Sequence, residues 1–115
     1  MNIDELRQFC LSLPHATEDV KWGNDLTFCV GKKMFAVTGI ETAQNVVSFK
    51  CTPEKFAELV ELEGIIPAHY VARYHWVTVE TRDALETAEL KDLIENSYKM
   101  VLEKLPKKLK NELIA

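Results

Sequence analysis

Two runs of alternating side chains, joined by three residues, constrain this chain more than any other feature. Leu26, Phe28 and Val30 alternate with Thr27 and Cys29, Gly31-Lys32-Lys33 follows, and Phe35 and Val37 then alternate with Ala36 and Thr38. A period of two sends successive side chains to opposite faces of a strand. A short glycine-containing connection between two such runs makes an antiparallel hairpin. A third run, "NVVSFKC" over 45–51, comes after a turn at "ETAQ", and a fourth, "YHWVTVE", spans 74–80. Strands joined by such short turns pair most simply as a meander.

Helical spacing fills the rest. Ile3, Leu6, Phe9, Cys10 and Leu13 predict a helix over 2–13, with Asn2 as its cap, Glu5 in the capping-box position and Pro14 as its stop. Residues 15–25 read as a polar loop. Thr52-Pro53 is a cap followed by proline at the first helical position, and Phe56, Leu59, Val60 and Glu63 continue a helix that Gly64 ends. "IIPAHYVAR" reads as a loop and "TRDALE" as a turn. Thr87 then caps a helix over about 88–104, with Leu90, Leu93, Ile94, Ser97, Tyr98, Val101 and Leu102 on one face. Pro106 breaks it, and "KKLKNELI" forms a short basic helix.

The resulting order, α-β-β-β-α-β-α-α, predicts an α+β fold. It is a two-layer domain over 1–115, with an antiparallel β-sheet and helices on one face. Alternation assigns Leu26, Phe28, Val30, Phe35, Val37, Val47, Phe49, Cys51, Val77 and Val79 to the helix-covered face. Thr27, Cys29, Ala36, Thr38, Val46, Ser48 and Thr78 fall on the other. That face is mostly small or polar except for Lys50 and Trp76, and it is where function is sought.

Composition narrows the classes. No apolar run approaches the ~20 residues of a membrane span, and the first residues lack the regions of a signal peptide, so a soluble cytoplasmic protein that does not engage a membrane is expected. Cys10, Cys29 and Cys51 are odd in number and form no CxxC, which points to buried thiols rather than a disulfide framework or a metal site. The net charge of -4 weighs against strong non-specific nucleic-acid binding but leaves room for a local basic patch. No phosphate-cradling glycine loop, nucleophile elbow or HExxH occurs, so the expectation is a protein without catalysis and without a cofactor.

Four stretches, 9–37, 48–59, 65–80 and 93–110, resemble the MmcQ/YjbR family of small bacterial proteins. The similarity is carried by "KWG" at 21–23, "SFK" at 48–50, Pro67-Ala68-His69-Tyr70 and the His75-Trp76 pair. It implies a two-layer α/β fold of the secretion-chaperone-like kind. It also implies DNA binding through a "double wing" of β-elements, with no catalytic motif to carry over.

The candidate binding residues are Lys21, Trp22, Lys32, Lys33, Lys50, Arg73 and Trp76. Trp22 beside Lys21 is either a plug for one end of the core or an aromatic platform next to a cation, suited to stacking a base or gripping an anion. Lys50 is either a solubilising strand residue or an anion contact. Trp76 on the open face, with Trp22 approaching it, would complete a shallow site. Lys104, Lys107, Lys108 and Lys110 read as a solvated helix face. Two functions follow. One is DNA binding through the hairpin lysines, salt-sensitive because phosphate contacts dominate. The alternative is a non-enzymatic module that binds a small anion or a protein partner through the Trp/Lys surface.

Overall fold

The computed structural model describes residues 1–39, 47–68 and 74–114, the side chains of Arg82 and Ile114 excepted. The chain runs α1 (Ile3–Ser12), β1 (Thr17–Lys21), β2 (Asp25–Val30), β3 (Lys33–Gly39), β4 (Val47–Lys50), α2 (Pro53–Leu59), β5 (Ile65–Pro67) and β6 (Trp76–Val79). A short 3-10 turn (Arg82–Ala84), α3 (Thr87–Glu103) and α4 (Lys107–Ile114) complete it. All pairings are antiparallel, in the order β1-β2-β3-β4-β6-β5.

Local chemistry explains the helix starts. The Asn2 side chain accepts from Glu5 N at 2.8 Å and Glu5 reaches back to Asn2 N, closing the capping box. Thr52 caps α2 by accepting from Lys55 N at 3.1 Å, with Pro53 at the first helical position. The expected cap at Thr87 is displaced by one residue, since Glu86 precedes the helix and no side chain bonds there. Helix α2 ends at Leu59, earlier than Gly64, whose φ of +89° instead lets the chain turn into β5.

Two strands escape the sequence pattern, and both are sheet edges. Thr17–Lys21, expected as loop, is β1, and Ile65–Pro67 is β5. The expected turn at "ETAQ" lies outside the described residues.

The helices lie over one face. Leu6 and Cys10 of α1, Leu59 of α2, and Leu93, Ile94 and Tyr98 of α3 close on Phe28, Phe49, Val77 and Val79 in one core. One expectation is corrected. Val37 pairs with Ser48 and so lies on the opposite face, half-buried, while Ala36 and Thr38 pair with Phe49 and Val47 and take the core side. Phe35 keeps its core place because of a bulge. Phe28 pairs with Ala36 but Cys29 with Met34, so Phe35 is an extra residue, and it turns to the helix side together with Ala36. Its ring meets Tyr98 edge-on, with centroids 5.4 Å apart.

Candidate functional site

The bulge also opens the sheet. Continuing the β3–β4 register by one residue would pair Phe35 with Lys50 and join Lys50 N to Phe35 O. The hydroxyl of Ser97 on α3 stands in that rung. It donates to Phe35 O at 2.7 Å and accepts from Lys50 N at 3.0 Å. Ser97 is fully buried. A helix side chain thus replaces a strand-to-strand bond, satisfies both backbone groups and holds the ends of β3 and β4 apart.

One to two turns further along the same helix face come Val101, Lys104 and Leu105. Together with Lys33, Met34, Lys50 and Trp76 of the sheet they line a cavity of about 280 Å³. Its floor is apolar, and the Trp76 ring is only 8% exposed there without belonging to the main core. Its rim is cationic. Lys50 is half-buried. Burial lowers its pKa, and the positive charge of Lys104, within hydrogen-bonding reach, lowers it further. Among the described residues, the ion pairs are Arg7–Glu18, Lys55–Glu58, Lys99–Glu95 and Lys110–Glu103, so none neutralises Lys33, Lys50 or Lys104.

The hairpin turn closes one side. Gly31 and Lys32 both have positive φ, +57° and +68°, as a two-residue turn of this kind requires. A Cβ on Gly31 would sit 2.6 Å from Leu105 Cδ1 and 3.2 Å from Leu109 Cδ2. Any Cβ there would have to push the Leu105 side chain aside. Lys107 and Lys108 open α4 just beyond Leu105.

Of the candidate residues, the structure brings together Lys33, Lys50 and Trp76, with Lys32 beside them on the turn. Lys21 and Trp22 are elsewhere. Lys21 pairs with Asp25 and Asp25 with Gly39, at the sheet end opposite the Lys50–Trp76 pair. Trp22, at the tip of the β1–β2 hairpin, is 70% exposed, so it neither plugs the core nor meets Trp76. Arg73 lies outside the described residues. Lys104, read from sequence as a solvated cation, is the residue that reasoning missed. The signal available was Ser97, a hydroxyl on an otherwise apolar helical stripe.

Other candidates resolve into structural roles. The His75 ring stands edge-on to Phe56 at 5.6 Å, and its backbone carbonyl accepts from Cys51 N at 2.9 Å. Glu18 takes both Arg7 hydrogen bonds, at 2.6 and 2.7 Å. Burial pushes the Cys10 thiol up to about 12 and Cys51 to about 11, so both stay protonated at neutral pH. No helix among the described residues is long and apolar enough to cross a membrane.

The fold is that of a small α+β protein with an antiparallel six-stranded sheet and helices on one face, and in this chain a lysine-rimmed cavity lies at one sheet end. The chain belongs to the YjbR family, whose sequence profile matches residues 11–100. It is 29% identical over 119 aligned positions to the protein YjbR of Escherichia coli (strain K12), covering 99% of this chain and 98% of that one. Among solved structures, a Deinococcus radiodurans protein with a DUF419 domain superposes with a TM-score of 0.88 at 32% identity, covering 97% of this chain and 87% of that one. A Pseudomonas syringae protein shares the fold with a TM-score of 0.72 at 24% identity, over 88% of this chain and 99% of that one.

Proposed function

We propose that the protein is a binding module that captures an anionic ligand at the lysine-rimmed cavity. One observation carries this reading. Lys33, Lys50 and Lys104 share the rim of one cavity, and no ion pair among the described residues offsets them. Like charges in partial burial are unfavourable unless an opposite charge joins them. An anion on the rim would relieve that repulsion.

The test is a chemical-shift titration with inorganic phosphate at low salt. The amides of Lys33, Lys50, Trp76 and Lys104 should move together, and added salt should reverse the shift. Unchanged spectra at millimolar phosphate would reject the site.

Nucleic acid is the second reading, favoured by Lys32, Lys107 and Lys108, cations that neighbour the rim residues Lys33 and Leu105 in sequence on a chain of net charge -4. Its mark is a linear fall of log affinity with log salt, flattened by removing Lys32 and Lys33. If duplex and single-stranded DNA both fail to bind at low salt, nucleic acid is excluded and the small-anion reading stands alone.

A further inference from the structure

We infer that the ligand is an organic phosphate monoester with a compact apolar or planar body, its phosphate bridging Lys50 and Lys104 and its body lying on Trp76. The inference rests on the anion-binding reading above and specifies the ligand's chemistry.

Charge count comes first. Lys50 and Lys104 line the same small cavity, so one small group carrying two negative charges can meet both. A phosphate monoester carries about -1.5 to -2 at neutral pH, whereas a phosphodiester or a carboxylate carries one negative charge. The donor type agrees. A lysine ammonium is a compact point charge that serves phosphate well, while planar carboxylates are better gripped by the arginine fork, which no described residue of this cavity supplies.

The wall gives the rest of the molecule. Met34, Trp76, Val101 and Leu105 supply an apolar surface next to the ammonium groups. Inorganic phosphate alone would leave that surface in water. A ligand with an apolar or planar portion covers it, and the indole face offers a stacking partner. The volume, about 280 Å³, falls just below the ~300–1,000 Å³ span of small-molecule sites, so the body must be compact.

The shared chemistry has two sources: a free phosphorylated metabolite, or the 5′-phosphorylated end of a nucleic acid. Neither requires internal phosphodiesters to enter the cavity.

The experiment uses the full chain with Trp22→Phe, which leaves Trp76 as the single indole. Phenyl phosphate should change its fluorescence saturably, and should bind at least about tenfold more tightly than methyl phenyl phosphate, the diester, or inorganic phosphate. Lys104→Gln, at an exposed position that does not threaten folding, should weaken phenyl phosphate about tenfold, the loss of one charge-assisted contact, and should shrink the monoester preference. Lys50→Gln should do the same.

Equal affinity for monoester and diester, or an unchanged preference in Lys104→Gln, overturns this inference while leaving anion binding in place. Absence of saturable binding by both phenyl phosphate and inorganic phosphate overturns the anion-binding reading itself. Competition then separates the sources. Displacement by a 5′-phosphorylated oligonucleotide but not by its 5′-hydroxyl form identifies a nucleic-acid end. Displacement by neither identifies a free phosphorylated metabolite. Equal displacement by both means that internal phosphodiesters are recognised, and the monoester assignment falls.

Discussion

The two hairpins that share β2 are built alike and end differently. Both turn through positive-φ residues: Trp22 and Gly23 at +54° and +85° in one, Gly31 and Lys32 in the other. The β1–β2 turn projects into solvent from a sheet edge, and a Cβ on Gly23 would meet nothing within 4 Å. The β2–β3 turn is roofed by Leu105 and Leu109 and forms one side of a cavity. Turn chemistry alone does not make a cavity. A distant helix arriving over one turn and not the other does.

The largest effect expected to expose this contrast lies in the two tryptophans. Trp76→Ala should cost about 3–5 kcal/mol, as for other buried aromatics, whereas Trp22→Ala should stay within about 0.5 kcal/mol, as for exposed positions. Chemical denaturation of the two variants measures it. Equal losses would break the comparison, because Trp22 would then belong to the core.

Ser97→Ala comes next. It leaves Phe35 O and Lys50 N buried without their partner, at about 2–4 kcal/mol for two orphaned groups. Urea unfolding should show the loss, and the Tyr98–Phe35 contact should loosen with it.

The two glycines sharpen the contrast further. Gly23→Ala should cost only the left-handed penalty, about 1–2 kcal/mol. Gly31→Ala should cost more than that, because Leu105 must also move. Thermal melts of the pair, side by side, give the ordering, and a reversed order would mean that the helical roof is not seated on the turn.

The smallest effect concerns how the exposed edge is held. Arg7 lowers the Glu18 pKa below its ordinary 4.5 by hydrogen bonding and tethers β1 to α1. A carboxylate with a depressed folded-state pKa adds stability above its unfolded pKa and loses it as pH falls through the folded value. Arg7→Gln should therefore raise the Glu18 midpoint in an NMR titration. The stability gap to the parent protein should close in acid, not in base.

Much of this was legible in the residues. Alternation in 26–30 and 47–51, together with the spacing along α3, predicts the core around Phe28, Phe49, Val77 and Ile94. The two edge strands were not legible. Thr-Glu-Asp-Val-Lys has no apolar face to announce a strand, and Ile65–Pro67 is three residues long with a proline. The facing of Val37 was missed because the bulge at Phe35 shifts the facing of β3, and alternation alone does not announce a bulge. Lys33, Lys50 and Trp76 stand out in the sequence by their chemistry, and the fold gathers them. Trp22 stands out on the same grounds, yet the sheet carries it to the opposite end. Lys104 gained its meaning only from the groove that Ser97 opens.

The Ser97 rung has a kinetic consequence. An amide in an ordinary ladder exchanges its hydrogen when two strands part. The Lys50 amide is held by a helix, so it can exchange only when α3 lifts from the sheet. Lifting α3 also orphans the Phe35 carbonyl and removes Tyr98 from its hydrogen bond to Pro14 O and from its ring contact with Phe35. Opening at that one amide therefore coincides with loss of helix–sheet packing as a whole. Its hydrogen–deuterium exchange should approach the global unfolding free energy, while the amides of β1 exchange through local fraying.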